Sequence, residues 1–242
     1  MSSHPTAPRV RRTLVVAALL TTVLGGCGAG SVVVGTEGVD TLTIPTPSPE
    51  AADFDDVVDN PRLPLLPGSR WNYDVTDASG SHRLRVAVAA QPRSVDGVST
   101  TVVVSRERGG TTRDFYAQDL DGNVWWFGRG STPGTSWQAG TRGAEAGIAM
   151  LATPRVGDGY RRGYAPGVVD DVVQVDSITG SETVPAGTYD DLVAIGERSE
   201  LDSGRSTDRS YAAGVGLVLE TGVGVDYRSL RLLSADLPLR SR

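Results

Sequence analysis

The sequence predicts an all-β fold: a single antiparallel β domain, curved into a half-barrel or sandwich-like, with at most one short helix. Three observations carry this expectation. Leu84, Val86, Val88 and Ala90 alternate with Arg83, Arg85 and other residues, the period of two that turns one face of a strand toward a core. Asp96-Gly97 separates that run from a second alternation through Val98, Thr100, Val102 and Val104, and Asp-Gly supplies the positive φ that a tight hairpin needs. Turn residues then recur at a spacing of roughly 8–12 residues, the rhythm of a sandwich or barrel, and no long stretch has a helical period.

The elements follow in order. Leu66-Pro67-Gly68 makes a turn and Trp71 and Tyr73 fall on one face of the strand after it, as i and i+2 must; their size makes them core aromatics. Gly109-Gly110 opens a run through Phe115 and Ala117, and Asp121-Gly122-Asn123 turns the chain into Val124-Trp125-Trp126-Phe127. Trp125 and Trp126 must point to opposite faces there, one into the core and the other under a loop or exposed. Later strands are expected at Asp171–Ser177, Tyr189–Glu197, Ser206–Ala212, Val215–Glu220 and Val225–Leu233. The short helix, if present, falls near residues 144–152, where Gly147 weakens it. Asp170-Asp171 and Asp190-Asp191 read as solvated charges at strand edges.

The N-terminal stretch has a different character. Arg9, Arg11 and Arg12 stand before an apolar run from Thr13 to Leu24, and no acid precedes it. A charged start, a short apolar core and a small-residue exit make a secretory signal, too short to span a bilayer as a helix. Leu24-Gly25-Gly26-Cys27 resembles the lipobox of bacterial lipoproteins, and Cys27 is the only cysteine. The resemblance implies a diacylglyceryl group on Cys27 and cleavage before it; an ordinary secretory signal with a chance cysteine is the alternative. Two acyl chains anchor stably where one does not. Arg11-Arg12 is also a partial twin-arginine pattern, so the export route stays open.

Four segments result: a signal at 1–26; lipidated Cys27 and a flexible Gly/Pro/acidic linker through 60; a β domain at 61–237; and a tail at 238–242. The linker holds Pro45-Thr46-Pro47-Ser48-Pro49 and an acidic run from Glu50 to Asp56, with a short strand conceivable at Ser31–Val34. As a coil it spans on the order of 30 Å. A domain of about 180 residues can bury a core without disulfides, and with Cys27 acylated no thiol is left to form one.

The chain has 23 basic and 29 acidic residues, a net charge of −6, and every cation is arginine. Loss of Arg9, Arg11 and Arg12 with the signal leaves 20 against 29, or −9. That balance speaks against nucleic acid and against electrostatic adhesion to an anionic membrane face. The expected location is therefore the extracytoplasmic side of the cell membrane, held by the diacylglyceryl-Cys27 anchor.

From Trp71 to Tyr227 the chain resembles a family of uncharacterised bacterial exported proteins and lipoproteins. The resemblance rests on Ala117-Gln118-Asp119-Leu120-Asp121-Gly122-Asn123-Val124-Trp125, Ser136-Trp137-Gln138-Ala139-Gly140 and Gly147-Ile148-Ala149-Met150. It continues through Pro154-Arg155-Val156-Gly157-Asp158, Pro185-Ala186-Gly187-Thr188-Tyr189 and Tyr211-Ala212-Ala213-Gly214-Val215-Gly216-Leu217-Val218. It implies no activity. The chain has Ala213 where the family has proline and Arg129 where it has an acid.

Chemistry is sparsely provided. Asp119-x-Asp121-Gly122-Asn123 offers oxygens at alternate positions, but it lacks the glycine spacing and terminal Glu of a calcium loop and reads as a turn. His82, the one histidine after the signal, is expected in an exposed polar hairpin. No nucleophile elbow, zinc ligand set or phosphate loop appears. No catalytic, metal or cofactor residue is therefore assigned. The reading is a non-enzymatic binding or envelope-structural domain. Carriage of a lipid or other apolar ligand is one alternative, and a hydrolase using paired carboxylates is another.

Overall fold

The computed structural model describes residues 50–130, 135–224 and 227–238. The signal, Cys27, the strand at Ser31–Val34 and the tether up to residue 49 lie outside them, as does most of the tail. The domain is built of strands, with one 3-10 turn at Ala51–Asp53. Twelve main strands follow the chain: β1 (Arg70–Asp77), β2 (Gly80–Val88), β3 (Val98–Glu107), β4 (Gly110–Asp119), β5 (Val124–Gly130), β6 (Glu145–Met150), β7 (Gly159–Ala165), β8 (Val169–Val184), β9 (Gly187–Ser199), β10 (Asp202–Ala212), β11 (Gly216–Val223) and β12 (Arg228–Asp236). Each pairs antiparallel with its chain neighbour, and β12 pairs with β1 from Arg228↔Asp77 to Asp236↔Arg70. The sheet therefore closes into an up-and-down barrel. The antiparallel all-β class agrees with the expectation, and the curvature goes to full closure. Closure leaves the twelve main strands without a free edge among the described residues.

The hairpin signals act as their chemistry dictates. Asp96 and Gly97 both adopt positive φ, 50° and 77°, between the paired residues Val95 and Val98. The stretch at 144–152 is not helical. Its residues Glu145–Met150 form β6, paired with β5 and β7. Gly147 explains the choice: a Cβ there would meet the Arg162 carbonyl carbon and oxygen at 2.5 Å, so only glycine lets these backbones approach. Replacing Gly147 with alanine forces β6 away from β7. We expect this to cost about 1–3 kcal/mol, the usual penalty for overpacking, and urea denaturation will measure it.

Alternation sorts the strands into an inner and an outer face. Trp71, Tyr73 and Val75 of β1 turn inward, with exposures of 4%, 3% and 0%. The outer faces of β8–β10 carry exposed Asp176, Arg198 and Asp208, as befits a surface turned to water. On the outside of β3–β5 lies a second apolar layer. Phe54 packs edge-on against Trp125 and Phe127, with ring centroids 6.2 and 5.2 Å apart. Trp125 and Trp126 do point to opposite faces, and both are buried, at 2% and 3%. Trp125 lies beneath Phe54, and Trp126 faces the interior.

The segment from Val58 to Leu66 crosses one end of the barrel. Leu65 donates its backbone N–H to Val58 and Gly214 donates to Pro61. The Gln118 side chain accepts from the backbone of Asp59 and Asn60, at 2.9 and 2.7 Å. The Asn60 amide donates to the carbonyls of Gly122 and Leu151, and Arg62 reaches the Asp191 carbonyl at 2.6 Å. Val58 and Asn60, in the stretch read as tether, are thus buried at 1% and 2%. The segment plugs that end.

Candidate functional site

Eight strands suffice for side chains to fill a barrel, and sixteen leave an aqueous channel. Twelve strands leave an interior that side chains alone do not fill. The plug takes part of it, a network of ion pairs takes part, and a cavity of about 430 Å³ remains. One wall of the cavity is apolar: Trp71, Leu84, Val86, Val103 and Leu230, with Leu63 and Leu65 of the plug at one end. The facing wall carries Asp114, Tyr116, Arg129, Arg162, Arg209 and Glu220. The cavity is therefore amphipathic.

The charged wall is built strand by strand. On β4, Asp114 is 5% exposed. It accepts from Arg129 of β5 through Nε at 2.8 Å and Nη2 at 3.3 Å, and from the Trp126 indole at 3.1 Å. The Arg129 and Arg162 guanidiniums lie 5.1 and 4.3 Å from the Trp126 ring centroid, which is cation–π distance. Trp137 meets the same indole edge-on at 4.9 Å. Gly163 makes room for both rings, since a Cβ there would stand 3.1–3.2 Å from them.

Arg162 of β7, Glu197 of β9 and Arg209 of β10 continue the network. Arg209 donates to Glu197 at 2.7 Å and to Glu220 of β11 at 2.7 Å. Burial pushes the Glu197 carboxyl up, but the charges of Arg209 and Arg162 and the Arg209 hydrogen bond outweigh it and hold it at about 2. Burial opposes the charge on Arg162 as well, and Glu197 beside it more than compensates. These groups stay ionised because each buried charge faces an opposite one.

Near the end opposite the plug, Glu107 accepts from Arg228 at 2.9 Å and lies 3.2 Å from His82 Nε2. Burial raises the Glu107 carboxyl, and the bonds from Arg228 and His82 overcome this and lower it. His82 is thus not an exposed hairpin residue. Its side chain is 9% exposed, because it sits on β2 at an inward position opposite Val75. Asp171 departs from the expected solvated edge as well: it is 8% exposed, inward on β8, and its carboxyl is raised by burial and by Glu197. Asp170 beside it pairs with Arg161 at 3.1 Å.

Asp119 is committed to structure. Its carboxylate accepts from the backbone and side chain of Asn123, at 2.8 and 2.9 Å, and from the Trp125 indole at 2.7 Å. The Asp119–Asn123 stretch is accordingly a turn, with Gly122 donating to the Asp119 carbonyl. Sequence reasoning located Trp71, Tyr73 and Trp126 but missed Asp114, Arg162, Glu197, Arg209 and Glu220. Their one signal is a charge at an inward parity of a strand, visible only once register is known.

No protein-family model matches the chain, and no curated protein matches it significantly. Two solved structures resemble it in shape. One is a Bacteroides fragilis protein named as exported and as having a YmcC-like fold, 12% identical, with a TM-score of 0.46. The other is a Parabacteroides distasonis protein named as a lipoprotein, 13% identical, with a TM-score of 0.34. Each match covers 73% of this chain and 99% of the other.

Proposed function

We propose that this chain is a lipid-anchored extracytoplasmic lipoprotein whose barrel binds a small molecule inside its cavity without transforming it. The observation that supports binding is the amphipathic cavity of about 430 Å³, within the range of sites that enclose small ligands. Anchoring is supported by the lipobox-like Leu24-Gly25-Gly26-Cys27. The described chain joins the barrel beside the plug, where Phe54 and Asp55 pair with Asp119 and Gln118 of β4.

A carboxylate hydrolase is less well supported. Such chemistry needs one carboxyl protonated and one free, both facing substrate. The carboxylates that line the cavity, Glu107, Asp114 and Glu220, each accept a hydrogen bond from an arginine, and Glu197 is held ionised between two arginines outside the lining. Carriage of a wholly apolar ligand would leave the arginines and carboxylates of one wall facing hydrocarbon, a costly arrangement.

Native mass spectrometry of the protein purified from its own envelope tests binding. An adduct of small-molecule mass is expected, and a bare protein mass counts against the proposal. For the anchor, Cys27→Ala is expected to abolish metabolic labelling with palmitate and to shift the protein out of the membrane fraction. Labelling that persists in the variant would refute the anchor.

A further inference from the structure

One guanidinium on the charged wall keeps donors in reserve. Arg162 is 8% exposed, and its Nε has no hydrogen-bond partner. That atom lies 3.2 Å from Glu197 Oε2, but the same oxygen already accepts from Arg209 at 2.7 Å. Arg129, Arg209 and Arg228 each donate to a carboxylate. Arg162 is held in place all the same. Its guanidinium stacks on Trp126, and a register shift between Arg161 and Gly163 in β7 sets its direction. Nε is shut off from the cavity against Glu197. The donors Arg162 offers in the cavity it lines are therefore its two Nη groups, which make no hydrogen bond among the described residues. A largely buried guanidinium with such donors is costly unless an acceptor comes to it.

We infer that Arg162 anchors the carboxylate of an amphipathic small molecule, whose apolar body lies along Leu84, Val86, Val103 and Leu230. This inference rests on the reading of the cavity as a binding site. The guanidinium fork matches a planar two-oxygen acceptor. The groups lining the cavity include Arg129, Arg162, Arg209 and Arg228 against Glu107, Asp114 and Glu220, and Glu197 behind Arg162 evens the balance. The unspent donors therefore draw the head group, not net charge. A single carboxylate is accepted, a doubly charged head is repelled by the flanking acids, and an ammonium head is repelled by Arg162 itself.

The test uses the full-length Cys27→Ala chain, purified without detergent, titrated calorimetrically with decanoate, decanol and decylamine. Decanoate is expected to bind at least tenfold more tightly than decanol, with decylamine weakest. Arg162→Met should weaken decanoate about 10- to 100-fold, the worth of charge-assisted hydrogen bonds, and change decanol by less than about twofold. If the variant does not fold, the ranking of the three probes on the parent chain decides alone. Equal affinities for decanoate and decanol would overturn the role of Arg162 while leaving the cavity a binding site. Failure of all three probes to bind would overturn both.

Discussion

Replacing Glu197 with alanine is expected to lower the melting temperature by roughly 6–20 °C. Glu197 is 8% exposed and is the carboxylate between two arginines, 3.2 Å from Arg162 and 2.7 Å from Arg209. Its removal leaves buried positive charge without its partner. Such a break costs about 3–5 kcal/mol, and a domain of this size loses about 2–4 °C per kcal/mol. Arg209 keeps Glu220 at 2.7 Å, so Arg162 bears most of the loss. Glu197→Gln preserves the shape and removes the charge, and should fall in the same direction.

The same carboxylate gives the barrel a pH signature. Its folded value of about 2 lies below its ordinary 4.5. A depressed carboxyl contributes stability that is fully present above its unfolded value and is lost as pH falls through its folded value. The parent protein should therefore lose stability between about pH 4.5 and 2, and Glu197→Ala should lose less over that interval. Thermal melts across the range check both statements. Parallel curves for the two proteins would show that Glu197 is not the group responsible.

Trp125→Ala is the second large effect, and it acts on the other face of the sheet. The side chain is 2% exposed, packs edge-on with Phe54 and donates to Asp119. Truncating a buried tryptophan of this kind costs about 3–5 kcal/mol. The loss removes the outer layer's contact with Phe54 and takes one of three donors from the Asp119 carboxylate. Because Trp125 points away from the interior, decanoate affinity of the folded variant should change little. The midpoint of guanidinium unfolding measures the stability term, and a loss below about 1 kcal/mol would contradict it.

The two tryptophans show how far the residues alone could be read. Adjacent positions in a strand must face opposite ways, so their divergence was legible from Val124-Trp125-Trp126-Phe127. Which face held the ion pairs was not, because that depends on what β4, β7 and the Phe54 segment bring to each side. Gly159-Tyr160-Arg161-Arg162-Gly163-Tyr164-Ala165 was harder still. Two arginines between glycines resemble a solvated turn, yet the stretch is β7 and Arg162 lies inside. The 144–152 stretch misled for a related reason: alanines and a methionine suit a helix locally, and the close approach of β7 at Gly147 overrides that preference.

What the residues determined on their own is local. Alternating apolar positions place strands, Asp96-Gly97 places a hairpin, and Leu24-Gly25-Gly26-Cys27 carries the export and anchoring expectation, because each is a matter of neighbouring side chains and backbone torsions. Tertiary structure alone decided that β12 returns to β1, that the Val58–Leu66 segment plugs one end, and that Arg162, Glu197 and Arg209 meet across three strands. Those outcomes depend on register between segments far apart in sequence, where a shift of one residue would carry every interior charge to the surface.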